Sequence, residues 1–248
     1  MKVIAVIPAR YSSTRFPGKP LADICGRPMI WWVYQQVSQV KDFSEVLIAT
    51  DDSRIMSVCE SFSMKCMMTS PNLPEHISRI HEVSERIKAD YYLCINGDEP
   101  LVSPDCINRI IPKEDHEELY FCGAMRKLTD PAETIDSANI KIVVSRENQC
   151  IYMSRTPVPY PKRTLLFDYY KYVGIECFSK KGLDFFVHTR PGKNEEIEDI
   201  DHLRFVENGK PIYFTEVDSE SISVDTPKDL EKVRLIMQRK LDAGEIVL

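Results

Sequence analysis

The 248-residue sequence lacks several patterns that would place it in a common functional class. Its eight cysteines include no CxxC pair, so their spacing indicates neither a zinc site nor a disulfide framework, and we expect free thiols. Neither GxxxxGK[ST] nor GxGxxG occurs, which disfavours P-loop ATPases and dinucleotide-binding proteins. No apolar run approaches the roughly 18 residues that span a bilayer, so no membrane segment is predicted.

Positive charge is also in the minority, because 32 lysines and arginines face 38 aspartates and glutamates, for a net charge of −6. Bulk attraction to nucleic acid or to an anionic membrane is therefore not expected. The first apolar run, residues 3–7, is too short for the core of a signal peptide and is followed by Pro8. Together with the free thiols, this predicts a cytoplasmic protein.

Short apolar runs alternate with amphipathic segments through the first half of the chain, which predicts parallel strands joined by right-handed crossover helices. The second half indicates further strands between irregular segments, including a proline-rich loop or arm at 156–163. A single domain over 1–248 is predicted. The predicted strands are 2–7, 45–49, 65–68, 91–95, 139–144, 172–178 and 212–216. The predicted helices are 29–40, 54–62, 78–87 and about 227–241, the last capped by Thr226.

Three fixed positive charges, Arg10, Arg15 and Lys19, follow the first predicted strand. Guanidinium groups can grip phosphate oxygens in pairs, and Gly18 lets the backbone approach a ligand closely. The alternative is a solvated surface loop whose charges pair with nearby acids. Ligands of open α/β sheets bind beyond the carboxyl ends of the strands, and both this loop and residues 96–100 lie at such ends.

The complete string IPARYSSTRFPGKPL, followed by GRPMI, resembles the start of the cytidylyltransferases that activate acidic sugars, above all the 3-deoxy-manno-octulosonate (Kdo) cytidylyltransferases. The similarity can be traced from Met1 to about Arg234. It implies a nucleotide-diphospho-sugar-transferase-like (Rossmann-like) α/β fold, with a mixed, mostly parallel sheet and a small irregular dimerisation or lid region. The implied partners are CTP, a small acidic acceptor and a second copy of the chain.

In that family the basic loop holds the triphosphate of CTP and stabilises charge as pyrophosphate leaves. The resemblance therefore implies catalytic roles for Arg10, Arg15 and Lys19, together with Asp98 and Asp225. The implied nucleotide-binding residues are Pro8, Ala9, Arg10, Arg15, Lys19, Arg79, Asn96 and Asp98.

A triphosphate needs a metal, and Mg²⁺ prefers one or two carboxylates in addition to phosphate oxygens. Asp98 in NGDEP matches the family's QGDEP except that Asn96 stands in place of glutamine, and Asp225 lies in a VDTP segment that the family shares. Asp98 and Asp225 are therefore the predicted Mg²⁺ ligands. The alternatives are a plain turn at Asp98 and a helix cap at Asp225. Asp51 and Asp52 are interpreted as helix-capping and loop residues.

The acceptor site predicted by the resemblance departs from the family pattern. The implied substrate-binding residues are Arg155, Tyr172, Glu176, Glu198 and His202. The family usually has SGTDR where this chain has PEHISR, histidine at Tyr172, tyrosine at Glu176 and glutamine at His202. Because a carboxylate at Glu176 would repel a sugar acid, an amine-bearing or less acidic acceptor is a hypothesis to test.

The predicted function is Mg²⁺-dependent transfer of CMP from CTP to Kdo or a related acceptor. Two alternatives stay open. One is a nucleotidyltransferase of the same fold that acts on a nonulosonic acid, an amino-Kdo or a phosphonate. The other is a homologue that binds nucleotide without catalysis. The enzymatic prediction requires that Asp98 and Asp225 lie close together in the folded chain.

Overall fold

The computed structural model describes residues 1–12, 16–116, 118–164, 167–219 and 221–246. The strands in this part of the chain are Val3–Ala9 (β1), Asp23–Ile24 (β2), Arg27–Pro28 (β3), Glu45–Thr50 (β4), Cys66–Met68 (β5), Tyr91–Ile95 (β6), Phe121–Lys127 (β7), Lys141–Val144 (β8), Cys150–Ser154 (β9), Tyr170–Ser179 (β10) and Tyr213–Glu216 (β11). The helices are Met29–Ser38 (α1), Ser53–Ser61 (α2), His76–Arg86 (α3), Pro104–Asn108 (α4), Pro131–Ile135 (α5), Lys180–His188 (α6), Lys193–Glu198 (α7), Leu203–Glu207 (α8) and Pro227–Asp242 (α9).

A mixed sheet runs through the molecule in the strand order β11-β7-β10-β6-β1-β4-β5, and β8 and β9 extend it beside β10. Four of the six pairings along the main path are parallel, and β10 is antiparallel to both of its neighbours there. This confirms the predicted α/β class with a mixed, mostly parallel sheet.

The chain changes direction across the sheet at β1. From β1 it proceeds through β4 to β5 on one side, and it then crosses through α3 to β6 on the other side of β1. In open α/β sheets, the crevice at such a reversal of strand order is where ligands bind. The loops that follow β1 and β6 both open into this crevice.

Burial on both faces explains why β1 has no polar alternation. Val3, Ala5 and Ile7 pack into a core on one face with α1, α2 and α4, whereas Ile4 and Val6 pack on the other with α3, α6 and α8. A strand covered by helices on both sides reads as a continuous apolar run. All eight cysteines are free, as predicted, and six of them are buried.

The predicted elements of the first half all form, with ends shifted by no more than two residues. The sequence analysis missed β7 and β9 in the second half. β7 pairs with β10 and β11 and is buried over most of its length, so its FCGAMRK sequence has neither alternation nor a flanking turn signal. β9 pairs only with β8, and tertiary contacts rather than local propensity define it.

Helix α9 begins at the predicted cap. The Thr226 side chain accepts a hydrogen bond from the Asp229 backbone, and the Asp229 side chain accepts one from the Thr226 backbone, which together form a capping box. This locks the start of the helix and with it the preceding residue, Asp225. In the described part of the chain, no helix combines the length and the apolar character needed to traverse a membrane.

Candidate active site

The loops after β1 and β6 are in contact at the crevice. A Cβ atom on Gly97 would lie 2.7 Å from the Pro8 carbonyl oxygen, so only glycine allows the two loops to approach this closely. Ala9 is buried beside them, and the Asn96 backbone N–H donates to the Gly174 carbonyl at 2.9 Å. Residues from three separate segments therefore surround the carboxyl ends of β1 and β6.

Lys19 joins the two predicted metal ligands. Its ammonium Nζ lies 2.6 Å from Asp98 Oδ2 and 3.4 Å from Asp225 Oδ1. The Val224 backbone N–H also donates to the Asp98 carbonyl at 2.9 Å, which ties the two loops together. Burial lowers the pKa of Lys19, but the two carboxylates outweigh it, so the pKa rises and the ammonium stays charged.

Two carboxylates that converge on one cation are the donor set that Mg²⁺ uses in nucleotide-binding sites. Asp98 lies 79 residues from Lys19 in the sequence and Asp225 lies 206 residues from it, yet both contact its single charge. The structure thus brings together the two acids that the sequence analysis expected to meet, and their oxygen donors fit a hard divalent cation. Their role as ligands stays a prediction.

Glu99 is a buried carboxyl group next to Asp98. The hydroxyls of Ser221 and Ser223 both donate to it. Burial and the charge of Asp98 raise the pKa of Glu99 to about 7, against the effect of the two hydroxyls. By holding both serines, Glu99 fixes the segment that leads to Asp225. Glu99 is part of the NGDEP motif, and the sequence alone assigned it no role.

Of the basic loop, Arg10 and Lys19 are described, whereas Arg15 lies outside the described residues. The Arg10 guanidinium is exposed and donates to the carbonyl of Pro74 at 3.1 Å, on the loop that leads into α3. Gly18 adopts a left-handed conformation with a φ of 71°, and its N–H donates to the Tyr11 carbonyl at 2.8 Å. This contact closes the loop and directs Lys19 towards Asp98.

Arg79, on α3, is almost fully buried, and its side chain reaches the end of β5. Its guanidinium donates to Asp51 Oδ2 at 2.8 Å and to the Thr69 hydroxyl. Asp51 is thus the partner of Arg79 rather than a cap, while Asp52 caps α2 by accepting from the Arg54 N–H. In this arrangement Arg79 supports the loop around Thr69, and its predicted contact with nucleotide is untested.

A cavity of about 400 Å³ opens beside Arg10 and is lined by two of the five predicted acceptor residues. Tyr172 and His202 form part of its wall, together with His76 and Asp201, and their contact with an acceptor stays a prediction. A larger cavity, of about 770 Å³, is lined by none of the predicted site residues. Arg10 follows β1 and also lines the smaller cavity, so the basic loop and the cavity adjoin.

Glu176 is the centre of a buried ionic cluster behind that cavity. His202 Nε2 lies 2.6 Å from Glu176 Oε1, His76 Nε2 lies 3.1 Å from Oε2, and the Tyr172 hydroxyl donates to Oε1. Asp201 completes the cluster, with oxygens 3.0 Å from His202 Nδ1 and 3.4 Å from His76 Nδ1. Two carboxylates and two imidazoles therefore form one nearly closed group.

The cluster holds its members in their charged states. Burial lowers the pKa of His202, but Glu176 and Asp201 outweigh it and raise the pKa to about 10. Burial likewise raises the pKa of Glu176, yet His202 and His76 hold that pKa well below its usual range. The pKa of His76 is raised against burial by Glu176 and Asp201. With both imidazoles protonated, the cluster carries no net charge.

This geometry corrects the prediction that Glu176 lines the acceptor site. Its side chain is 0% exposed and lies behind His76, Tyr172 and His202, so it does not face the cavity. Its charge is balanced by the two histidines, and it would not repel a sugar acid. The argument from Glu176 against an acidic acceptor is therefore wrong.

Residues 198–204 do not form one continuous helix. Helix α7 ends at Glu198, Asp199 takes a left-handed φ of 53°, and α8 begins only at Leu203. The turn between the helices places Asp201 and His202 at the wall of the cavity. Asp201 is a site residue that the sequence analysis did not single out, although it directly precedes His202.

Arg155 and Glu198 are brought together but outside the cavity lining. The Arg155 N–H and the Ser154 hydroxyl donate to the Glu198 carboxylate at 2.9 and 2.6 Å. The Arg155 guanidinium donates to the backbone carbonyls of Glu198 and Asp199 at 2.6 and 2.8 Å. In this conformation both side chains stabilise the α7 terminus, and contact with an acceptor carboxylate stays a prediction.

His202→Gln is expected to lower the free energy of unfolding at pH 7 by about 3 kcal/mol, because it leaves the buried Glu176 carboxylate without its nearest cation. The folded-state pKa of His202, about 10, exceeds the unfolded value of about 6.5. The stabilisation is therefore complete below about pH 6.5 and is lost as pH rises towards 10. Urea denaturation at pH 6.5 and pH 9.5 measures this difference.

The control for this variant is His188→Gln, at an exposed histidine whose Nδ1 lies 2.7 Å from the Asp184 carbonyl oxygen and which is not part of the Glu176 cluster. We expect its effect to stay within about 0.5 kcal/mol at either pH. An effect of His202→Gln that is equally small, or that does not shrink at pH 9.5, would contradict the charged cluster.

Most of the chain is similar in sequence to known proteins. Residues 4–212 match the family described as Cytidylyltransferase. The 3-deoxy-manno-octulosonate cytidylyltransferase of Escherichia coli is 35% identical over 240 residues, which cover 97% of this chain and 98% of that protein. The 8-amino-3,8-dideoxy-manno-octulosonate cytidylyltransferase of Shewanella baltica (strain OS195) is also 35% identical, with coverage of 94% and 97%.

Solved structures agree with the sequence comparison. The chain superimposes on CMP:2-keto-3-deoxy-manno-octonic acid synthetase complexed with CTP with a TM-score of 0.90 at 35% identity. The similarity covers 97% of this chain and 100% of that structure. The resemblance inferred from the basic loop and NGDEP therefore extends over the whole fold.

Proposed function

The chain belongs to the cytidylyltransferase family, and from this we propose that it transfers CMP from CTP to 3-deoxy-manno-octulosonate, with release of pyrophosphate. The observation that carries the proposal is the contact of Lys19 with Asp98 and Asp225 at the switch point of the sheet. It sets a cation between two acids where an open α/β sheet binds nucleotide. Arg10 connects this point to a cavity of a size that fits a small acceptor.

The reaction joins an acceptor hydroxyl to the α-phosphorus of CTP and expels pyrophosphate. Alignment and charge stabilisation do most of the work in such transfers, since no covalent enzyme intermediate is needed. Arg10 and Lys19, with Arg15 by analogy with the family, would hold the triphosphate and stabilise the negative charge that develops on the leaving pyrophosphate.

Asp98 and Asp225 would hold Mg²⁺, since their oxygens already converge on one cation. Bound Mg²⁺ supplies charge neutralisation at the phosphates and lowers the pKa of a coordinated hydroxyl. Lys19 would then have a second role, because a cation held by the two carboxylates would replace its ammonium as their counter-charge. The ammonium would then donate hydrogen bonds to the triphosphate oxygens.

A second acceptor, the 8-amino analogue of this sugar acid, is favoured by one observation. Carboxylates dominate the polar lining of the cavity, at Glu75, Glu195, Glu196, Asp199 and Asp201. Four of these five have cationic partners, including Asp199, whose carboxylate lies 3.5 Å from Arg155, and both Glu196 and Asp199 are exposed at the rim. An ammonium group on the acceptor would be attracted to the rim without affecting the phosphate end.

We also infer a homodimer. Exposed apolar side chains gather in the second half of the chain, with Ile151, Tyr160 and Phe167 at 55%, 84% and 43% exposure. Two of them flank the proline-rich segment at 156–163, which was predicted to be an arm. Exposed large apolar side chains are common at protein interfaces, and we expect these to lie in the contact between two copies of the chain. A cytoplasmic location agrees with the free thiols.

A nucleotide-by-acceptor matrix tests the function. Pyrophosphate release is measured with CTP, UTP, ATP and GTP against Kdo, 8-amino-Kdo and a nonulosonic acid, with and without EDTA. We expect release with CTP and Kdo in the presence of Mg²⁺, and a fall to background with EDTA because Asp98 and Asp225 lose their cation.

The matrix also separates the alternatives. Faster turnover of 8-amino-Kdo than of Kdo would identify 8-amino-Kdo rather than Kdo as the acceptor. The proposed reaction type would be unchanged. Activity restricted to the nonulosonic acid would refute both acceptors. No pyrophosphate from any combination, although CTP binds in a direct titration, would identify a non-catalytic nucleotide-binding protein.

A further inference from the structure

The departures from the family pattern are gathered in one place. His76, Tyr172, Glu176 and His202 come from three segments that are distant in sequence, and their side chains meet at the Glu176 carboxylate. The buried thiol of Cys94, on β6, lies next to the same carboxylate. Charge balance between histidines and acids accounts for the first four residues but leaves the thiol without a role.

We propose that His76, Cys94 and Glu176 form a binding site for a thiophilic divalent cation, with Zn²⁺ as its natural occupant. The His76 Nε2, the Cys94 Sγ and a Glu176 oxygen all lie within 4.8 Å of one another. His76 Nε2 and Glu176 Oε2 are 3.1 Å apart, the separation expected of two ligands bound at about 2.0 Å to one tetrahedral ion. This site is separate from the acids around Lys19.

The ligand types determine which cation fits. A thiolate and an imidazole beside one carboxylate favour Zn²⁺ or Co²⁺, whereas Mg²⁺ prefers oxygen ligands alone. Three protein ligands leave one tetrahedral position for water or a substrate oxygen. Cys94 and Glu176 are buried, while the His76 side chain is 24% exposed and lines the acceptor cavity. His76 is therefore the one ligand of the three that lines the cavity.

Residues around the three ligands are placed as metal sites require. Asp201 Oδ2 lies 3.4 Å from His76 Nδ1, on the ring nitrogen opposite the proposed ligand atom. Glu176 Oε1 accepts from the Tyr172 hydroxyl and lies 2.6 Å from His202 Nε2, which leaves Oε2 for the metal. Carboxylate–histidine pairs and hydrogen-bonded carboxylate ligands are typical of zinc centres, where they orient the ligands.

The proton balance of binding is simple. His76 and Cys94 each release one proton to solvent, and the cation forms bonds to the freed nitrogen and sulfur and to the already ionised Glu176. In the metal-free protein the protonated imidazole of His76 supplies the positive charge beside Glu176. The same carboxylate is neutralised in both states, so the fold does not require the metal.

Cobalt titration tests the site without nucleotide or acceptor. Full-length protein treated with a chelator is titrated with CoCl₂ while absorbance is recorded. We expect one Co²⁺ per chain with a near-ultraviolet thiolate-to-cobalt charge-transfer band, and Zn²⁺ should displace it. Cys94→Ser should lose the band, and Asp201→Asn should weaken binding by about 10- to 100-fold because His76 loses its orienting partner.

The matched control is Cys66→Ser, because Cys66 and Cys59 form a pair of neighbouring thiols that could bind cobalt adventitiously. This variant should keep the band. A wild-type protein with no charge-transfer band, or a band that survives Cys94→Ser, would overturn the proposal. If Cys94→Ser does not fold, loss of the band in His76→Ala supports the site and its persistence refutes it. Pyrophosphate release is assayed separately, so a failure of this proposal and a failure of the proposed function are distinguishable.

Discussion

Asp98→Asn is expected to lower kcat for pyrophosphate release by about 1,000-fold, with the protein still folded. The substitution keeps the shape of the side chain but removes the negative charge that contacts Lys19 at 2.6 Å and that would hold Mg²⁺. Loss of transition-state charge stabilisation worth several kcal/mol corresponds to a rate loss of this size. Steady-state kinetics with saturating CTP, Kdo and Mg²⁺ measure it.

The matched control for Asp98→Asn is Asp52→Asn. Asp52 caps α2, and asparagine caps helices about as well, so kcat should change by less than about threefold. Circular dichroism and urea denaturation check that both variants fold. Activity of Asp98→Asn within tenfold of the wild type would remove Asp98 from the metal site and leave the proposed mechanism without its first ligand.

Lys19→Met is expected to lower kcat by about 100-fold and, at the same time, to tighten binding of a divalent cation to the nucleotide-free protein. The rate falls because a cation that would stabilise the leaving pyrophosphate is lost. Cation affinity rises because the ammonium that contacts both Asp98 and Asp225 no longer competes for their oxygens. Titration with Mn²⁺ as a probe, followed by electron paramagnetic resonance, measures the second effect.

Two opposite changes make this prediction specific. Lys41→Met, at an exposed lysine, should alter neither kcat nor Mn²⁺ affinity. A Lys19→Met variant that loses activity and also binds Mn²⁺ more weakly would indicate that Lys19 maintains the local structure of the site. Unchanged activity would show that Lys19 does not contact the triphosphate during turnover.

The sequence alone determined the parts of this protein that depend on local patterns. The continuous apolar run of β1, the spacing of α1 and the Thr226–Asp229 capping box all involve residues within a few positions of one another. Their structural consequences follow from periodicity and local hydrogen bonding. The match of the basic loop and NGDEP to known cytidylyltransferases added the reaction class.

Only the tertiary structure decided what the acceptor site contains. Glu176 and His76 are 100 residues apart, and nothing local predicts that a carboxylate expected to face substrate lies buried against two imidazoles. The left-handed Asp199 that separates α7 from α8 is likewise not evident from the local sequence pattern. Such pairings arise where strands and loops converge, and chain topology sets them rather than local sequence preference.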